Sequence, residues 1–293
     1  MKIGLNGKIM ESGEAVISVY DHGFLYGMGL FETFRTYGGR PYLLERHMQR
    51  LMEGCEAIGI RYKPDMDALQ KMIRTLLDEN GLEEGYIRLT VTAGAGELGL
   101  PSSDYEQPTE FILVKALPPH SEQLYREGKE LRLLRTVRNT PEGAVRLKSL
   151  HYMNNIMAKR ELLASDASAS AEGLMLSHEG LIAEGIVSNV FFVQEGILYT
   201  PSTDIGILPG ITRQRVIELA RGLGYIVREG HYLFEELLAA EEVWLTTSIQ
   251  ELVPVTRITD KAGGMTVVGS GLAGPVLREL LLAYRKDTEE QQR

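Results

Sequence analysis

Three short segments of this chain carry residue types that could do chemistry together. Lys148 stands in Arg146-Leu147-Lys148-Ser149-Leu150-His151-Tyr152, after the turn signal Asn139-Thr140-Pro141-Glu142-Gly143 and just before a helical stretch. A lysine amine can attack a carbonyl carbon and can serve as a base; the alternative is a solvated surface lysine, because Lys is almost never buried without a partner. In Gly206-Ile207-Leu208-Pro209-Gly210-Ile211-Thr212-Arg213, glycines free the backbone immediately before an apolar-periodic helix. The start of a helix offers unpaired N–H groups and the positive end of its dipole, so an anion fits there. Thr212 would add a hydroxyl, although Pro-Gly before a helix is also ordinary turn punctuation and no Gly-x-Gly nucleotide fingerprint is met. Glu184 lies among apolar residues in Leu181-Ile182-Ala183-Glu184-Gly185-Ile186-Val187-Ser188-Asn189-Val190. Buried there, its carboxylate needs a cationic or protonated partner; otherwise it is an exposed turn residue. An amine, an anion cradle and a carboxylate awaiting a protonated ring nitrogen together suit a phosphorylated carbonyl cofactor.

The elements that must position these residues can be read from periodicity. Apolar residues recur at three- and four-residue steps over Leu43–Ile58 and Met66–Leu77, which predicts helices. Further helices are expected at Tyr152–Ala164, Ile211–Leu223, Leu233–Ala239 and Pro275–Arg285. Strands are expected at Arg40–Tyr42, Tyr86–Ala93, Glu110–Ala116, Glu130–Val137, Tyr225–Arg228 and Val243–Thr246, and Gly173–Ser177, Leu181–Glu184 and Ser188–Val193 read as antiparallel hairpins. Grouped rather than alternating elements indicate an α+β fold of two lobes. Leu117-Pro118-Pro119 breaks regularity as a linker does, so a small α/β domain is expected over 1–117, a linker over 118–128 and a large α/β domain over 129–293. The polar tail after Asp287 is expected to fray.

A chain of 293 residues allows one large or two modest domains. Its formal net charge of −9 disfavours nucleic-acid and anionic-membrane partners. Lys2–Gly7 shows no apolar export segment and no stretch approaches membrane-spanning length, so a cytoplasmic protein is expected. Cys55, the single cysteine, falls in step with Leu51 and Ile58 and reads as a core residue rather than a nucleophile.

The order of the segments carries a family resemblance. Tyr26-Gly27 through Phe31-Glu32, Arg46-His47-Met48-Gln49-Arg50-Leu51, the Lys148 segment, Glu184-Gly185 with Ser188-Asn189-Val190-Phe191, and Leu208-Pro209-Gly210-Ile211-Thr212-Arg213 follow one another along most of the chain. In this the sequence resembles the fold-type IV pyridoxal-phosphate enzymes, which include branched-chain aminotransferases, D-amino acid aminotransferases and 4-amino-4-deoxychorismate lyases. The resemblance implies pyridoxal 5'-phosphate as cofactor, with Lys148 attached to it, Glu184 on the pyridine nitrogen and Tyr152 beside it. Arg50, Ile211, Thr212 and Ser248 would hold the phosphate. It also implies a homodimer, with the Tyr20–Gly29 loop contributing near the site. Arg50 could instead form a helix-face pair with Glu53.

The family leaves the reaction open, because one cofactor machinery supports several chemistries. In Phe31-Glu32-Thr33-Phe34-Arg35, Thr33 is the residue type of the deoxychorismate lyases, where branched-chain aminotransferases usually have Gly and D-amino acid aminotransferases an aliphatic residue. The stretch from Arg138 through Glu161 is likewise most similar to bacterial lyases, and the Arg-x-His trap of D-amino acid aminotransferases is not found in Ala93–Pro101. The implied reaction is conversion of 4-amino-4-deoxychorismate to 4-aminobenzoate and pyruvate, on the route to folate. Lys148 would act as base, Thr33 would assist protonation of the leaving fragment, and Arg35 and Arg88 would pair with the substrate carboxylates. Two features keep the aminotransferase alternative open: Tyr86-Ile87-Arg88 resembles the Tyr-x-Arg element of branched-chain enzymes, although a Tyr and an Arg two apart on any strand also simply face one side, and Thr247 stands where lyases often carry a substrate-contacting Asn, which bears on substrate detail more than on reaction class.

Overall fold

The computed structural model describes residues 1–291 and is of mixed α+β architecture. The chain divides into two compact units, the first comprising Met1–Pro118, Leu147–His151 and the chain from Thr288, the second Pro119–Arg146 and Tyr152–Asp287. Residues 118–128 hold a short helix of the second unit, and the lysine segment groups with the first.

In the first unit, β1 (Lys2–Leu5), β2 (Lys8–Glu11), β3 (Gly29–Tyr37), β4 (Arg40–Pro41), β5 (Gly85–Thr92) and β6 (Thr109–Ala116) form an antiparallel sheet in the order β2-β1-β6-β5-β3-β4. Its helices are α1 (His22–Tyr26), α2 (Leu44–Ala57) and α3 (Met66–Glu79). Helical spacing puts Leu44, Met48, Leu51 and Cys55 of α2 on one buried face and Leu69, Ile73, Leu76 and Leu77 of α3 on another. Both faces join Leu30 and Phe34 of β3 and Ile87, Leu89 and Val91 of β5 in one core. Cys55 is fully buried there, and burial pushes its thiol up to about 12, so it is a packing residue. The Asp65 side chain caps α3 by accepting from the N–H groups of Asp67 and Ala68.

The second unit opens with α4 (Glu122–Glu127), β7 (Lys129–Leu133), α5 (Met153–Ala164), β8 (Glu172–Leu176), β9 (Ile182–Gly185), β10 (Asn189–Gln194) and β11 (Ile197–Pro201). It continues with α6 (Ile211–Gly222), β12 (Val227–Gly230), α7 (Phe234–Leu238), β13 (Glu242–Thr247), β14 (Glu251–Thr259), β15 (Met265–Val267) and α8 (Pro275–Glu290). Its nine-stranded sheet runs β12-β11-β10-β13-β14-β7-β8-β9, with β15 paired to β14. β8 and β9 form the expected antiparallel hairpin, but β10 pairs with β11 and β13 instead of continuing that series. Of the tail after Asp287, expected to fray, the part up to Glu290 continues α8, and residues 292–293 lie outside the described residues; Asp287 itself accepts from Arg215 Nε at 2.8 Å and Nη2 at 2.5 Å. Among the described residues, no helix is long and apolar enough to cross a membrane.

Candidate active site

In the first unit, β3 separates its residues by alternation. Leu30, Glu32 and Phe34 turn to the helices, while Phe31, Thr33 and Arg35 share the opposite face. The ladder to β5 sets Thr33 opposite Arg88 and Arg35 opposite Tyr86, so Tyr86 and Arg88 lie on that second face too. The lysine segment runs beside β3: Phe31 N–H donates to the Lys148 carbonyl at 2.9 Å and Leu150 N–H to the Gly29 carbonyl at 3.0 Å. Lys148 is half-buried, with its Nζ 4.8 Å from the Phe31 ring centroid, and the Arg88 guanidinium lies 3.6 Å from the same ring. An amine, a hydroxyl and two guanidinium groups are thereby gathered on one sheet face.

On the other face, Glu32 is fully buried. Its Oε1 accepts from Arg50 Nε at 2.7 Å and its Oε2 from Arg50 Nη2 at 2.6 Å and His47 Nδ1 at 2.6 Å. Burial works to raise the Glu32 carboxyl, but Arg50 and His47 outweigh it and hold it down to about 2. For His47 burial is the stronger influence and keeps the imidazole below its ordinary range despite Glu32. Arg50 thus pairs with Glu32, and Glu53 accepts from Gln49.

In the second unit, Glu184 is the penultimate residue of β9 at 4 % exposure, which excludes the exposed-turn reading. Its Oε1 accepts from Arg138 Nε at 2.8 Å, and its Oε2 accepts from the Leu208 N–H at 3.0 Å and Asn189 Nδ2 at 3.4 Å. Arg146 Nε stands 3.9 Å from Oε1. Burial, followed by the like charge of Arg138, brings the Arg146 guanidinium down to about 10, still charged at neutral pH. The cation that Glu184 requires is therefore already present in Arg138, a partner that the spacing of the chain did not reveal. Asn139, Asn154 and Asn155 in turn accept from Arg138 Nη1.

The Gly206–Arg213 loop leads into α6, whose N-cap is Gly210, a residue with no side chain to cap the helix. Adding a Cβ at Gly210 would bring it to 2.1 Å from Asn189 Oδ1, so only glycine fits. Ile211 and Thr212 are buried in the first turn, and Thr212 Oγ1 lies 3.2 Å from Ser248 Oγ in the turn after β13. Arg213 Nε, in the same turn, and Thr246 Oγ1, across the ladder from Asn189, are buried without a hydrogen-bond partner. Such groups cost about 1–3 kcal/mol each unless water or a ligand satisfies them. Thr247 Oγ1 accepts from the N–H groups of Ile249 and Gln250, which makes it a turn-forming residue. Tyr152, half-buried, occupies the N-cap position of α5.

These donors fit pyridoxal phosphate. An uncapped helix start flanked by two hydroxyls suits a phosphate, and the Glu184 carboxylate, with roughly four acceptor sites, has three hydrogen bonds and room for a ring N–H. The amino-transferase class IV family model matches residues 29–258. The chain belongs to this family. Its cofactor is pyridoxal phosphate, in keeping with its likeness to a T.th. branched-chain amino acid aminotransferase solved with pyridoxamine 5'-phosphate, at a TM-score of 0.85 and 28% identity over 98% of this chain and 93% of that one. The class IV enzyme is also 41% identical over 287 residues to the aminodeoxychorismate lyase of Bacillus subtilis (strain 168), covering 97% of this chain and 94% of the relative. It is 34% identical over 282 residues to a putative branched-chain-amino-acid aminotransferase of Methanocaldococcus jannaschii, covering 96% of this chain and 94% of that protein.

Glu32, His47, Arg138, Arg146 and Asn189 lie in the segments that carry the resemblance, but the sequence assigned them no role. For Glu32 a signal was present: period-two alternation puts it between inward Leu30 and Phe34, and His47 and Arg50 sit three apart on one helix face. For Arg138 there was none, because its partner lies 46 residues away.

Proposed function

We propose that this class IV enzyme is a 4-amino-4-deoxychorismate lyase that releases 4-aminobenzoate and pyruvate. The observation that carries this reading is the shared face of the first unit's sheet, where the Thr33 hydroxyl stands opposite Arg88, whose guanidinium covers the same Phe31 ring as the Lys148 amine. A transamination has no leaving group to protonate; elimination of an enolpyruvyl ether does. The greater identity to the Bacillus subtilis lyase than to the archaeal aminotransferase supports the same choice.

When bound, pyridoxal phosphate supplies an electron sink for charge developing beside the substrate nitrogen. In our reading Lys148 is its attachment point, Arg50, Ile211, Thr212 and Ser248 hold its phosphate, Tyr152 flanks it, and Glu184, oriented by Arg138, pairs with its ring nitrogen. Lys148 Nζ, once freed by the substrate amine taking its place, would remove the proton from the amine-bearing ring carbon. The ring then becomes aromatic as the C–O bond to the enolpyruvyl group breaks, and Thr33 Oγ1 assists delivery of a proton to the departing fragment, which becomes pyruvate. Arg35 and Arg88 pair with the two substrate carboxylates, and Thr247 shapes the turn that presents Ser248. Incubation with 4-amino-4-deoxychorismate is expected to release 4-aminobenzoate and pyruvate in equal amounts. Rapid formation of a 2-oxo acid from leucine or D-alanine, with no pyruvate from 4-amino-4-deoxychorismate, would make the chain an aminotransferase.

We also propose a homodimer. Met153, Ile156 and Met157 on α5 are 71%, 50% and 51% exposed, and Tyr20 and Phe24 of the Tyr20–Gly29 segment are 51% and 73% exposed, apolar surface on each unit that a second copy would cover. Sedimentation equilibrium should return twice the chain mass; a monomer at micromolar concentration would overturn this.

A further inference from the structure

We infer that Glu32 is the positioning residue for Arg50, fixing the plane of its guanidinium so that the cofactor's phosphate, and not its ring, depends on this buried carboxylate. The inference rests on the proposed role of Arg50 as a phosphate ligand. Its own basis is geometric. Arg50 Nε and Nη2 lie 2.7 Å and 2.6 Å from the two Glu32 oxygens, the two-pronged arrangement in which both donors of one guanidinium edge are fixed. A guanidinium is planar and rigid, so fixing one edge fixes the direction of the opposite edge. Glu32 itself has no freedom to follow. It is fully buried in β3, between Leu30 and Phe34 on the core face, and His47 from α2 donates to Oε2 at 2.6 Å.

The charge count explains why three polar groups coexist in this core. The carboxylate is held ionised at neutral pH and the buried imidazole is kept neutral, so the trio of Glu32, Arg50 and His47 carries no net charge before any anion arrives. A phosphate then meets a guanidinium whose direction is already set. Replacing Arg50 with lysine would lose both functions, since an ammonium cannot span the two carboxylate oxygens and fix a second edge.

The test compares affinity for pyridoxal 5'-phosphate with affinity for pyridoxal, which lacks the phosphate, by equilibrium titration of the visible absorbance. Glu32→Gln should lower affinity for the phosphorylated form by about 10–100-fold, the scale found for groups that orient a ligating residue, while pyridoxal affinity stays within about twofold. Equal losses for both compounds, or no loss for either, would overturn the inference and leave Glu32 a purely structural residue. Arg50→Met separates the two levels of the argument. If Arg50→Met leaves the preference for the phosphorylated form unchanged, the reading of Arg50 as a phosphate ligand fails. If Arg50→Met collapses that preference and Glu32→Gln does not, only the positioning role of Glu32 fails. Should Glu32→Gln not fold, Glu32→Asp keeps the charge but withdraws the carboxylate by one methylene, and the same selective loss is expected of it.

Discussion

Glu32 and Glu184 are both buried glutamates that accept from an arginine, yet they are held in different ways. Both oxygens of Glu32 are gripped by one guanidinium, with His47 as a third donor from the same helix. The oxygens of Glu184 are held from three separate stretches of chain, by Arg138, by Asn189 at the start of β10 and by the Leu208 N–H in the loop before α6. The first arrangement is a clamp between a strand and a helix. The second is a junction that ties together the segments around the proposed cofactor-binding loop. A clamp fixes its partner's direction; a junction fixes the carboxylate itself. We therefore read Glu32 as serving another residue and Glu184 as a ligand in its own right.

That contrast can be broken by removing one charge at a time. Glu32→Gln leaves Arg50 without its buried counter-charge and should lower unfolding free energy by about 3–5 kcal/mol in denaturant titrations. Glu184→Gln should be milder for stability, because Arg138 keeps three amide acceptors. Its main effect is expected on turnover, a fall of about 100-fold in kcat, or roughly 2.7 kcal/mol, with the cofactor still bound. If Glu184→Gln instead loses stability as heavily as Glu32→Gln and keeps full kcat, the two carboxylates do not differ as we describe.

Acid sharpens the same contrast with a smaller effect. The unfolded chain protonates Glu32 near 4.5, the folded chain only near 2, so this contribution is complete above 4.5 and is lost as pH falls toward 2. His47 is kept neutral in the folded chain while the unfolded chain protonates it through 6.5, so stability also declines on acidification below 6.5. Both terms have the same sign, with a slope of at most about 1.4 kcal/mol per pH unit for each group. Unfolding followed at pH 7, 5.5, 4 and 3 should show a steady loss whose part below pH 4.5 vanishes in Glu32→Gln; a wild-type gain in stability from pH 7 to 5.5 would contradict it.

How far the sequence spoke depended on the range of the interactions involved. α2, α3 and α6 were legible because each buries one face at regular steps, and the Gly210-Ile211-Thr212 helix start was legible because its signal is local. β3 was not singled out as a strand, since Glu32 occupies an inward position that alternation reserves for apolar residues, and what compensates it lies 15 and 18 residues along the chain. β14 was hidden by Pro254, which argues against an interior strand. There the parallel ladder to β7 starts only at Val255 and shifts register before Arg257, so the proline interrupts no pair on that side. α5 shows the opposite case, a helix with Met153, Ile156 and Met157 exposed and Asn155, Ala158 and Leu162 buried, whose apolar residues face both ways. Lys148 itself was found from its neighbours in sequence, but its place beside β3 follows from backbone pairing that no local pattern encodes.

The most direct test of the account follows pyruvate and 4-aminobenzoate from 4-amino-4-deoxychorismate in the wild type and in Thr33→Val side by side. The wild type is expected to release both products equally and Thr33→Val to lose about 100-fold in kcat, with cofactor absorbance unchanged. Equal rates in the two proteins would remove Thr33 from the chemistry, and a wild type that releases no pyruvate while converting leucine or D-alanine to its 2-oxo acid would contradict the lyase reading itself.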